Sequence, residues 1–193
     1  MTLTRPLLAI AISALCSTAF AQTETIQRNV NQQERIEQGL KSGELNTREA
    51  ARLEKEEGKV EKMQSRALKD GTMTAEESAR INRAQNKVSN DIYREKHDAQ
   101  RGDPNSASSQ RAQADVQRNV NQQKRIEQGV KSGELTNRET ARLERGESRI
   151  NRREARAGRD GVVGAGEQRR IQAAENRESR RIRHQKHDRQ VRG

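Results

Sequence analysis

Apolar residues are sparse along this chain, but they fall at helical spacing. Ile26, Val30, Ile36 and Leu40 lie near one face, which predicts a helix from about Thr25 to Lys41. Ser42-Gly43 ends it, because glycine tolerates the left-handed conformation of a helix C-cap. Asn46 with Glu49 three residues later has the form of a capping box and starts a second helix, whose stripe is Ala50, Leu53, Val60, Met63 and Ala67. Asp70-Gly71 stops that helix. Thr74 with Glu77 starts a third, carrying Ile81, Ala84, Val88 and Ile92 to about His97. Amphipathic runs joined by short capped junctions predict an all-α fold.

The pattern then repeats. Gln27 to Leu45 returns as Gln117 to Leu135 with only Glu34 and Leu40 changed, to Lys124 and Val130. The register holds through Gln100 and Gln190 at a constant offset of 90, with 40 of 74 positions identical. A repeat of this length is a whole supersecondary unit. Two tandem three-helix (helix-loop-helix) repeats are therefore expected, at residues 22–100 and 115–193. Residues 101–114 are polar and broken by Pro104, so they are expected to form a flexible linker. Residues 1–21 read as a signal peptide: Arg5, an apolar run from Leu7 to Leu15, and Ala19-Phe20-Ala21 in the small-x-small form of a cleavage site. That run is too short to cross a bilayer, so no membrane span is expected after cleavage. Cys16, the single cysteine, leaves with it. An exported chain without disulfides suits the periplasm or secretion, and the chain as a whole resembles bacterial exported helical repeat proteins.

Composition thins the expected core. From Gln22 onward 23 of 172 residues are Leu, Ile, Val or Phe, which leaves a narrow helical seam in each repeat. Marginal cores follow, with self-association or a ligand as the natural support. The second repeat has lost more: Met63, Leu68, Val88 and Tyr93 have Arg153, Gly158, Glu178 and Arg183 as their counterparts. Charge divides the halves as well. Residues 22–104 carry 16 Lys/Arg and 16 Asp/Glu, whereas residues 105–193 carry 22 and 12.

That imbalance is the clearest functional signal. Arg145, Arg149, Arg152, Arg153, Arg156 and Arg159 run along the second helix of the second repeat, and Arg169, Arg170, Arg177, Arg180, Arg181 and Arg183 along its third. Guanidinium groups favour bidentate contact with phosphate, sulfate or carboxylate. The expected partner is an anionic polymer or surface, such as an envelope polymer, lipid headgroups or nucleic acid, bound without base stacking because aromatics are nearly absent. Alternatively, each junction resembles the second half of an EF-hand loop: Asp70-Gly71-Thr72-Met73-Thr74-Ala75-Glu76-Glu77 has the turn glycine, the aliphatic residue and the final glutamate. The resemblance implies calcium at Asp70, Thr72 and Glu77. Arg66 and Leu68 stand where that family places its first acidic ligands, and helix capping alone accounts for the same letters. A third reading is a structural or chaperone-like envelope protein. No thiol, phosphate-binding glycine loop or nucleophile-and-base set marks an enzyme, so no catalytic residue and no cofactor is expected.

Overall fold

The computed structural model describes the backbone of residues 11–188 and 190, and the side chains of residues 22–188 and 190. Six α-helices occur among the described residues: α1 Ala11–Ser42, α2 Thr47–Ala67, α3 Ala75–Lys96, α4 Ala107–Lys131, α5 Asn137–Ala157 and α6 Ala165–Lys186, with one 3-10 turn at Gly158–Asp160. No strand is present among the described residues. The signal-peptide reading covers residues 1–21, of which 1–10 lie outside the described residues. Among the described residues, no helix is long and apolar enough to cross a membrane.

The junctions form as their letters predict. Asn46 Oδ1 accepts the Arg48 and Glu49 amides at 3.0 Å, while Glu49 Oε2 accepts the Asn46 amide at 2.9 Å. Thr74 with Glu77 and Thr136 with Glu139 build the same reciprocal box. In α6 the counterpart of Thr74 is Gly164, which keeps half of it, donating its amide to Glu167 Oε2 at 2.9 Å. The expected stripes are buried except at Met63 and Ala84, which are only partly covered; outside them, Tyr93 is 59% exposed and stacked on His97.

The separation into two tethered units does not hold. Residues 107–114 of the expected flexible linker are the first turns of α4, and the remainder is pinned to the first repeat. Gly102 donates its amide to Gly43 O at 2.9 Å, and it lies so close to Leu45 that a Cβ there would sit 2.5 Å from the Leu45 carbonyl oxygen. Only a residue without a side chain fits that approach.

The physical reason for this closure is that neither seam is sufficient alone. Ala112 and Val116 of α4 are buried in the same cluster as Ile36, Leu40, Leu53 and Ile81 of the first repeat. Ile26 of α1 completes the cluster of Ile126, Leu135, Leu143 and Ile182 in the second. The arrangement is pseudo-two-fold, so equivalent elements meet: α2 packs on α5 and α1 on α4. Contacts at the offset of 90 mark the axis. Ser148 Oγ donates to Gly58 O at 2.6 Å, Asn151 Nδ2 donates to Glu61 Oε2 at 3.0 Å, and Lys124 Nζ lies 2.6 Å from Glu34 Oε1. Off the axis the contacts are reciprocal, as in an isologous dimer: Arg48 reaches the carbonyl of Asp160, and Arg138 that of Asp70.

The interior between the repeats is polar. Glu54, Glu57 and Glu61 of α2, Glu144, Glu147 and Glu154 of α5, Glu175 and Glu178 of α6, and Asp115 of α4 are all buried. Amide side chains serve part of this set: Gln33 donates to Glu54 at 3.0 Å, Gln123 to Glu61 at 3.0 Å, and Asn119 to Glu154 at 2.8 Å.

Candidate anion-binding groove

Where the C-terminal half of α2 runs beside the N-terminal half of α5, an open groove of about 1450 Å³ is floored by Ser65, Ala141 and Ser148. Its walls are basic on both sides. Lys62 and Arg66 come from α2 and Lys69 from the turn just after it, and Arg138, Arg142, Arg145, Arg149 and Arg152 come from α5. All are exposed except Arg152, which is half-buried and donates from Nε to Ser148 O at 3.0 Å. No carboxylate lines the groove, and among the described residues none of these eight cations lies within ion-pair distance of an acid. Three of them, Arg142, Arg145 and Arg149, also line an adjoining pocket with Arg181 and His184, so the basic surface continues toward α6.

The repeat itself explains why these side chains are unpaired. In the first repeat Lys59 pairs with Glu56 at 2.6 Å and Arg52 approaches Glu95 at 4.0 Å. The counterparts of those two acids are Gly146 and Gln185. Arg149 and Arg142, equivalent to Lys59 and Arg52, thereby lack those ion pairs, although Arg149 stays close enough to buried Glu178 for its charge to act on that carboxyl.

The interior strengthens the positive field. Burial pushes the carboxyl of Glu144 up to about 8 and that of Glu54 up to about 7. Burial first, and neighbouring acids next, raise Glu57, Glu61, Glu147 and Glu154 well above the usual carboxylate range. Acids held neutral do not offset surface arginines.

Of the arginines singled out in the sequence, Arg145, Arg149 and Arg152 line the groove and Arg181 its continuation, where Arg181 also donates to Glu178 Oε2 at 2.6 Å. Arg153, Arg156 and Arg159 are exposed elsewhere on α5 and the 3-10 turn, and Arg169, Arg170, Arg177, Arg180 and Arg183 on α6. Sequence reasoning passed over Lys62, Arg66, Lys69, Arg138 and Arg142. Their spacing alone marked a helical face; only the docking of α2 on α5 makes that face one wall of a groove.

The EF-hand-like set is used locally. Asp70 Oδ1 accepts the Thr72 amide at 3.1 Å, and Glu77 Oε2 accepts the amide and hydroxyl of Thr74 at 3.0 Å each. These contacts build a turn and a helix cap. The three carboxylates that do converge among the described residues are Glu49, Glu95 and Asp98. Compared with protein-family models, curated proteins and solved structures, the chain matches none.

Proposed function

We propose that this is an exported, non-enzymatic binding protein that holds an anionic polymer or surface along the α2–α5 groove. One observation carries the reading: eight cations from both repeats line one groove with no acid in its lining, and among the described residues none of them lies within ion-pair distance of a carboxylate. Such a surface gains by releasing counterions from a polyanion, and it fixes charge spacing rather than sequence. The shape is open, which suits a chain or a headgroup layer more than a small enclosed ligand. This reading moves the contact away from the second repeat alone.

The test is binding of the full chain to heparin across a salt series. Affinity is expected to fall steeply with salt, and the Lys62→Glu/Arg66→Glu variant, altered only in the first repeat, to lose about tenfold or more, with a shallower salt slope. Arg169→Glu/Arg170→Glu on α6 should bind nearly as the parent does. The reverse ranking would transfer the contact to α6, and salt-independent binding would remove the electrostatic mechanism.

A further inference from the structure

The N-terminal turn of α2 lies against the C-terminal end of α3, and three carboxylates meet there. Ligand oxygens of Glu49, Glu95 and Asp98 all lie within 4.8 Å of one another. Glu49 is 1% exposed; its Oε2 accepts the Asn46 amide, while its Oε1 is buried with no hydrogen-bond partner among the described residues. A carboxylate oxygen left buried and bare beside two further acids is costly as it stands.

Local cations do not relieve this. Arg52 reaches Glu95 only at 4.0 Å, and Lys96 is engaged by Glu44 at 3.1 Å. Arg101 donates to the backbone carbonyls of Asp98 and Gln100, while Asp98 accepts from the amide and side chain of Gln100. We propose that Glu49, Glu95 and Asp98 form a binding site for a hard divalent cation of the calcium class, seated between the start of α2 and the end of α3. All-oxygen, anionic donors select calcium over soft transition metals. A helix C-terminus adds its partial negative charge, and water completes the coordination. Two of the three ligands come from outside the junction in which Glu49 sits, and the site shares no residue with the groove.

The second repeat provides an internal control. Its counterparts are Glu139, Gln185 and Asp188, so one carboxylate is replaced by an amide and the charge that would hold a dication is reduced. One site per chain is therefore expected, in the first repeat only.

Calcium chloride titrated into the full chain in a calorimeter tests this, beside thermal melts in calcium and in chelator. The parent should bind one calcium with Kd on the order of 0.1–1 mM and melt higher with calcium. Glu95→Gln, which copies the second repeat, should lose at least tenfold in affinity and its calcium-dependent melting shift. In chelator it should melt no lower than the parent, because a like charge has been removed. Asp98→Asn should weaken binding similarly and Asp188→Asn should not. An absence of both heat and melting shift in the parent, or parental affinity in Glu95→Gln, would overturn the proposal.

Discussion

Gly146 and Glu178 record how one buried acid entered this interior. In the first repeat the equivalent pair is Glu56, half-exposed, and Val88, buried. In the second, Glu178 takes the valine's place on α6 and remains buried, with its carboxylate lying where a Cβ on residue 146 would be. The substitution of Val88 by Glu178 reads in the sequence as a lost core position. In the structure it is a volume exchange: glycine on α5 opens the space that a longer side chain on α6 fills. Gly146→Ala should therefore destabilise the fold by about 1–3 kcal/mol through overpacking, despite alanine's better helix propensity. Gly146→Ala/Glu178→Val restores the first repeat's small side chain opposite the new methyl and should recover most of that loss. Urea denaturation of both variants measures the coupling, and equal stability of the single variant and its parent would show that Glu178 swings aside at no cost.

At the level of elements, the helices, their caps and most of their apolar stripes were legible because each depends on residues close in sequence. The mutual packing of the repeats was not. Glu54, Glu57 and Glu61 follow helical spacing, and in one dimension such a row is indistinguishable from a solvated face; it becomes interior only because α5 covers it. Gly58 signals the close approach, with Ser148 donating to its carbonyl, yet a lone glycine inside a helix has many possible causes. The groove was half legible for the same reason: its α5 wall was readable as charge, while its α2 wall needed the docking. The best trace of the axis lay in the most similar block, where Glu34 became Lys124. Two identical residues facing each other across a two-fold axis would set like charges together, and this change makes an ion pair instead. Both side chains are about half exposed, so Lys124→Glu should cost only about 0.2–1 kcal/mol. The exchange Glu34→Lys/Lys124→Glu should restore it, as a chemical-denaturation cycle would report; additive losses would place the two residues out of contact.

For the whole molecule, an interior built on buried acids ties stability to protons. Glu144 ionises near 4.5 in an unfolded chain but is pushed up to about 8 by burial in the fold, so the folded state keeps a proton that the unfolded state releases. Below pH 4.5 both states hold it and nothing is lost; between about 4.5 and 8 the group removes stability progressively as pH rises. Glu175, up to about 8, and Glu54, Glu178 and Asp115, each up to about 7, act with the same sign, with Arg118 and Arg181 partly opposing through their charges. The urea midpoint should thus fall as pH rises from 5 to 8. Glu147→Gln, which removes a carboxyl whose two oxygens are buried without a hydrogen-bond partner among the described residues, should flatten that fall. A midpoint that rises instead would mean that the interior acids ionise together with partners. The interior acids gain negative charge across this range and so offset part of the positive field of the groove. At fixed salt, affinity for heparin should accordingly weaken from pH 5 to 8 in parallel with stability, and an affinity flat with pH beside a falling midpoint would separate the interior acids from the field that the groove presents.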